Sequence, residues 1–255
     1  MMKRYQFTGI IPARYASKRF PGKPLAMIGD KTMVQRVYDR VKSSVDSVYV
    51  ATDDKRIFEE VQKFGGSAIM TSPEHLSGTD RCAEAADLIM EQTGKRIDII
   101  INIQGDEPFV RTEQIELLKS CFTRKDVEIA TLVRETSPGE DIFNPNQPKV
   151  ILDSEGNAIY FSRTAIPFIR DSEPQEWSEK HVFYKHVGLY AYRTDVLKRI
   201  TNLPVSALEK AESLEQNRWI ENGFRIRTAV TKWESIGIDT PDDLKRAGDY
   251  LEHFN

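Results

Sequence analysis

Short apolar runs alternate with amphipathic stretches along most of the chain. Residues 7–11 read as a first strand, and 32–45 as a helix with Met33, Val34, Val37 and Val41 on one face. A second strand over 47–51 is followed by a helix carrying Ile57, Phe58, Val61 and Phe64, which Asp53 or Asp54 caps and Gly65-Gly66 ends. The run over 98–103 holds Ile99, Ile100, Ile101 and Ile103, the pattern of a central strand buried on both faces. A helix over 112–122 with Ile115, Leu118 and Phe122 inward and a strand over 127–133 continue the rhythm. Such alternation predicts an α/β fold, a mostly parallel sheet covered by helices.

The rhythm breaks between about Glu135 and Arg193, where Asn144-Pro145, Gln147-Pro148, Gly156-Asn157, Ile166-Pro167 and Glu173-Pro174 fall. Two short strand-like runs, 149–152 and 158–161, flank Ser154-Glu155-Gly156-Asn157 and predict a hairpin. This stretch reads as an excursion from the core sheet. It is rich in large apolar residues, among them Ile142, Phe143, Tyr160, Phe161, Ile166, Phe168, Ile169, Trp177, Phe183 and Tyr184. A short insertion with few helices cannot easily bury so many, so the segment is expected to form a homodimer interface. A strand then returns over 185–192, a helix over 206–222 ends at Gly223, and a strand runs over 225–230. Thr240-Pro241-Asp242-Asp243 opens the last helix with a cap, an N1 proline and first-turn carboxylates.

Composition narrows the function. A chain of 255 residues with 40% hydrophobic and 29% charged positions suits one α/β domain or two small ones. The net charge of −3 gives no nucleic-acid footprint, so cations that matter must be local. Cys82 and Cys121 match no metal or redox spacing, which favours a reducing compartment. No apolar run approaches the roughly 20 residues that span a bilayer, and the first residues lack a signal-peptide pattern. These features predict a cytoplasmic protein without membrane or nucleic-acid partners.

Four strings carry candidate chemistry. Residues 10–25, after the first strand, set Arg14, Lys18, Arg19 and Lys23 among small residues, two prolines and Gly22. Such a loop can aim backbone N–H groups, an Arg and a Lys at one anion. It is not a Walker A loop, and neither Gly-x-Gly-x-x-Gly, Gly-x-Ser-x-Gly nor His-Glu-x-x-His occurs. Asn102-Ile103-Gln104-Gly105-Asp106-Glu107-Pro108 follows the isoleucine strand, where Gly105 permits a close backbone approach and Asp106 is placed for Mg²⁺ or for a cap. Asp239, in Gly237-Ile238-Asp239-Thr240-Pro241, is a second carboxylate that Thr240 leaves free by capping the helix itself. Ser77-Gly78-Thr79-Asp80-Arg81 starts a helix whose N–H groups can read a base or phosphate.

These strings, in this order from Ile10 to Leu244, resemble the 3-deoxy-manno-octulosonate (Kdo) cytidylyltransferase family. The loop from Tyr15-Ala16-Ser17 to Pro21-Gly22-Lys23-Pro24-Leu25 and the Gln104–Pro108 string are the most specific; Ser235-Ile236-Gly237 departs mildly, where family members often have Thr-Gly. The resemblance implies a single Rossmann-like domain with an inserted dimerisation region at about 135–193. It implies transfer of CMP from CTP to the sugar's anomeric hydroxyl, releasing pyrophosphate and feeding lipopolysaccharide synthesis. Asp106 and Asp239 would hold Mg²⁺, and Arg14 and Lys23 would clamp the triphosphate. Ala13, Arg14, Lys23, Ser77, Thr79, Arg81 and Gln104 would bind the nucleotide. Gln104, Arg163, His186, Tyr190, Glu215 and Gln216 would bind the sugar, with Arg163 on its carboxylate. A cytidylyltransferase for another acid sugar, an amino-Kdo or a sialic acid, is the nearest alternative. A catalytically silent nucleotide-sugar binding module is the more distant one, though both carboxylates are present.

Overall fold

The computed structural model describes residues 5–16, 19–234 and 236–253; Ser17, Lys18 and Ser235, which belong to two of the strings above, lie outside the described residues. In chain order the strands are β1 (Phe7–Pro12), β2 (Met27–Ile28), β3 (Lys31–Thr32), β4 (Ser47–Thr52), β5 (Ala68–Met70), β6 (Ile99–Asn102), β7 (Ile129–Glu135), β8 (Lys149–Leu152), β9 (Asn157–Ser162), β10 (Tyr184–Arg193) and β11 (Ile226–Val230). The helices are α1 (Met33–Val41), α2 (Lys55–Lys63), α3 (Gly78–Thr93), α4 (Thr112–Cys121), α5 (Trp177–Lys180), α6 (Thr194–Thr201), α7 (Ala207–Glu212), α8 (Glu215–Glu221) and α9 (Pro241–His253).

The chain gathers into two compact units, one of residues 1–116, 191–201 and 235–255, the other of 117–190 and 202–234. In the first unit four strands run parallel in the order β5-β4-β1-β6. Ile99, Ile100 and Ile101 of β6 are wholly buried, as their unbroken apolar run requires; each contributes roughly 1.5–3 kcal/mol of burial. Helix α1 buries Met33, Val34, Val37 and Val41 completely. Asp54 rather than Asp53 caps α2, its side chain accepting the Arg56 N–H at 2.9 Å, and Gly65 leaves the helix with φ 78°. Cys82 and Cys121 are buried free thiols. No helix among the described residues is long and apolar enough to cross a membrane.

The second unit departs from the expected parallel pattern. Its strands follow the order β10-β7-β11-β9-β8; β7 and β11 are parallel, while β9 is antiparallel to both β11 and β8. β8 also pairs with the first residues of β10, so the pairing closes on itself. The predicted hairpin forms, with Gly156 at φ 79° in its turn, but it belongs to this sheet and is no excursion from it. Local periodicity predicts the two strands; where they dock is set by residues far away in sequence. Ile142, Phe161, Trp177 and Phe183 are buried inside the unit, which leaves Phe143 and Phe168 as the strongly exposed members of the expected interface set. The predicted helix over 206–222 is two helices, because Ser213 adopts a left-handed conformation (φ 51°) and Leu214 is extended.

Candidate active site

In the first unit, β1 ends at Pro12 and Ala13 donates its N–H to Ala51 O at 2.9 Å, so this amide is already committed within the sheet. The following loop closes where Gly22 N–H meets Tyr15 O at 2.9 Å. Gly22 has φ 73°, and a β-carbon there would press on the Tyr15 ring at 3.0 Å. Residues 23–25 then form a single 3₁₀ turn that fixes Lys23. Its ammonium lies 2.7 Å from Asp106 Oδ2 and 3.1 Å from Asp239 Oδ1, while Arg19 reaches Asp239 Oδ2 at 3.0 Å.

Each carboxylate has a local reason for its place. Asp106 follows Gly105, where any side chain would meet Pro12 O at 2.8 Å, so only glycine lets the β6 turn approach β1 this closely. Ile238 N–H donates to Asp106 O at 2.9 Å and ties the two carboxylate-bearing segments together. Beside Asp239, Thr240 accepts the Asp243 N–H at 3.2 Å, and Asp243 accepts the N–H groups of Thr240 (2.8 Å) and Asp239 (3.0 Å). The Thr240 hydroxyl and these amides hold the Asp243 carboxyl at about 2. This reciprocal cap frees the Asp239 side chain, as the sequence implied.

A cleft of about 260 Å³ brings together Ala13, Arg14, Lys23, Ser77, Arg81, Gln104, Asp106 and Asp239 from the expected set. Thr79 is not among its lining residues and is buried in the first turn of α3. Ser77 caps α3, accepting the Asp80 N–H at 3.1 Å. Arg81 is buried, its guanidinium donating to Thr71 Oγ1 at 2.5 Å and lying 3.6 Å from Asp53. Arg19, one of the four loop cations but given no role of its own from sequence, also lines the cleft, as does His75, which the sequence did not single out. His75 Nε2 lies 2.5 Å from Glu84 Oε2, which also accepts the Ser72 N–H at 2.8 Å. Burial alone would raise the Glu84 carboxyl, but these two hydrogen bonds hold it below its ordinary value. The only sequence signal for His75 was its place two residues before the Ser77 string.

Of the expected sugar residues, Gln104 lies in the first unit's cleft and the other five belong to the second unit. Arg163 follows β9 and donates from Nε to Glu212 O (2.6 Å), from one terminal nitrogen to Pro145 O (2.9 Å) and from the other to Ser213 O (3.2 Å). A guanidinium has five N–H donors, so two remain for a ligand carboxylate. Two of these three carbonyls, those of Glu212 and Ser213, lie where the predicted helix breaks, and the break makes Glu215 the first residue of α8. Glu212, which sequence reasoning missed, accepts from Ser162 Oγ (2.6 Å), Arg163 N–H (2.9 Å) and Tyr160 OH (3.2 Å). Burial pushes its carboxyl up, and these donors outweigh it and hold it below its ordinary value. Asn217 clamps α8 to β9 through both backbone groups of Phe161. Gln216 is 6% exposed and its buried amide nitrogen has no partner among the described residues. Glu215 accepts from Arg218 at 2.8 Å. His186 packs against the rings of Phe161 and Tyr190, with centroids 5.1 and 5.2 Å away, and its Nε2 lies 3.1 Å from Thr131 Oγ1. Burial pushes His186 down to about 3 and Tyr190 well above its ordinary value.

A cytidylyltransferase family model matches residues 8–228. The chain is 56% identical to a 3-deoxy-manno-octulosonate cytidylyltransferase of Parabacteroides distasonis, over 98% of this chain and 99% of that protein. It is 53% identical to the protein of the same name from Bacteroides thetaiotaomicron, over 97% and 99% of the respective chains. Among solved structures, CMP:2-keto-3-deoxy-manno-octonic acid synthetase complexed with CTP superposes with a TM-score of 0.87 at 42% identity, over 97% of this chain and 99% of that one. Family model, sequence relatives and structure agree over nearly the whole length, and the chain belongs to the 3-deoxy-manno-octulosonate cytidylyltransferase family.

Proposed function

We propose that the chain transfers CMP from CTP to Kdo in the cytoplasm, with the nucleotide and one Mg²⁺ held by the first unit and the acid sugar received by residues of the second. The observation that carries the metal assignment is the pair of carboxylates sharing one cation: Asp106 and Asp239 both contact the Lys23 ammonium. Two hard oxygen donors completed by substrate phosphates suit Mg²⁺. When bound there, it would neutralise phosphate charge and lower the pKa of the attacking hydroxyl. Lys23 then takes the triphosphate as partner in place of the two carboxylates, and Arg14 and Arg19 add charge around the departing pyrophosphate. The anomeric oxygen of Kdo forms a bond to the α-phosphorus as the bond to the β-phosphate oxygen breaks. Pyrophosphate leaves with the electron pair, and the hydroxyl proton passes to solvent. No covalent enzyme intermediate is needed; positioning and charge neutralisation supply the acceleration.

Arg163, with two N–H donors in hand, takes the Kdo carboxylate, and Gln216, Glu215, His186 and Tyr190 take its hydroxyls. The product feeds lipopolysaccharide synthesis. We also propose a homodimer through the surface around Phe143, Phe168 and Val182, which are 47%, 73% and 48% exposed. Sedimentation velocity at low micromolar concentration is expected to show a dimer; a fully active monomer would remove that part of the proposal.

Pyrophosphate release from CTP and Mg²⁺ with Kdo, an amino-Kdo and a sialic acid tests the reaction. Release with Kdo at the highest kcat/KM is expected. Preference for either other sugar would reassign the substrate, and binding of CTP without release under any condition would make the chain a binding module.

A further inference from the structure

Thr131 lies in the middle of β7, wholly buried, and is absorbed by none of the roles above. Its hydroxyl oxygen is 2.9 Å from Leu189 O, 3.4 Å from Val187 O and 3.1 Å from His186 Nε2. A carbonyl only accepts, and a hydroxyl has a single proton to give. That proton goes to Leu189 O, the nearer carbonyl. Toward His186 the hydroxyl is therefore an acceptor, and Nε2 must carry the hydrogen. Among the described residues His186 Nδ1 has no hydrogen-bond partner, and the ring is only partly covered by Phe161 and Tyr190.

We propose that Thr131 is a positioning residue that locks His186 as the Nε2–H tautomer, so that Nδ1 is a fixed hydrogen-bond acceptor for a hydroxyl of the sugar substrate. This rests on the reading of His186 as a sugar ligand. The lock selects a polyhydroxylated substrate, since an acceptor at this point reads a donated O–H and repels a carboxylate. It also divides labour within the second unit: Arg163 reads the acid group and His186 reads a hydroxyl. The depression of the His186 pKa by burial keeps the ring neutral over the working pH range, which the lock requires.

The test is long-range ¹H–¹⁵N correlation NMR of the full chain labelled with ¹⁵N-histidine, with His186 assigned by comparison with His186→Gln. Steady-state kinetics of the same proteins vary each substrate in turn. The wild type is expected to show the Nε2–H pattern for His186 from pH 6 to 9. Thr131→Val should lose the pure pattern and raise the Kdo KM about tenfold with the CTP KM unchanged, while Thr131→Ser restores both, the loss being that of one neutral hydrogen bond. An Nδ1–H pattern in the wild type, or a pattern unaltered in a folded Thr131→Val protein, would overturn the lock. A lock seen by NMR together with an unchanged Kdo KM in both Thr131→Val and His186→Gln would instead overturn the sugar-ligand reading and with it the proposed role. If Thr131→Val does not fold, Thr131→Ser decides alone, because loss of the Nε2–H pattern there contradicts a role carried by the hydroxyl.

Discussion

In the first unit the candidate chemistry is a set of opposite charges in reach of solvent: Asp106 and Asp239, with side chains 33% and 46% exposed, hold Lys23 at 2.7 and 3.1 Å. In the second unit the side chains of Arg163 and His186 are held by neutral groups, while Glu215 meets the Arg218 guanidinium. Arg163 donates to three carbonyls, His186 rests on a threonine hydroxyl, and Asn217 grips a strand backbone. The first arrangement is exchangeable, because one cation can replace another on the same oxygens at little structural cost. The second is preorganised, because Arg163 and His186 are already fixed by partners they do not give up. A metal-assisted phosphate site needs the former, and recognition of one sugar by directional hydrogen bonds needs the latter.

The sharpest way to break this contrast is to remove charge from the first unit. Asp106→Asn and Asp239→Asn are each expected to keep the fold, seen as an unchanged melting transition, and to lower kcat by on the order of 10²-fold or more in pyrophosphate-release assays. Near-wild-type turnover at saturating Mg²⁺ would take that residue out of the mechanism.

Next in size is the hub of the second unit. Glu212→Ala leaves Ser162, Tyr160 and the Arg163 N–H without their common acceptor, and a hydrogen bond to a charged group is worth about 1.5–3 kcal/mol. A stability loss of about 2–3 kcal/mol in urea unfolding and a raised Kdo KM at constant CTP KM are expected. If instead the CTP constant alone moved, Glu212 would not organise the sugar residues.

The smallest effect is a pH slope. Burial lowers His186 from 6.5 to about 3, so between these values the unfolded chain binds the extra proton. Stability therefore rises with pH through this window and is lost as pH falls, by at most about 1.4 kcal/mol per pH unit. For Glu140, burial opposes ionisation, but hydrogen bonds from Arg134 and Lys185 prevail and hold the carboxyl at about 2, so its contribution is lost only below 4.5. Replacing His186 with Gln should thus flatten the stability profile between pH 6.5 and 4.5. An unchanged slope would mean that the folded environment does not depress the His186 pKa.

The same contrast explains what was legible in the sequence. The strand–helix rhythm of the first unit and its two carboxylates could be read because each rests on local signals: the isoleucine run, Gly105 and the Thr240–Asp243 cap. That Lys23 bridges the carboxylates could not, since it joins positions 83 and 216 residues apart. In the second unit the break at Ser213 was invisible because it rests on backbone conformation at Ser213 and Leu214, and the guanidinium bonded there, that of Arg163, lies 50 residues away. Glu212 and Thr131 gave no signal, a glutamate on a helix and a threonine in a strand being ordinary. The edge hairpin could be read as a hairpin, but its membership of the closed sheet depends on pairing with β10 and β11.

The division of labour itself is tested most directly by steady-state kinetics on Arg14→Ala and Arg163→Ala with each substrate varied. Arg163→Ala is expected to raise the Kdo KM about tenfold to hundredfold, the value of a lost charged hydrogen bond, with the CTP constant unchanged. Arg14→Ala is expected to raise the CTP constant and leave that for Kdo in place. An Arg163→Ala protein that is folded and altered only in its CTP constant would contradict the assignment of nucleotide and sugar to the two units.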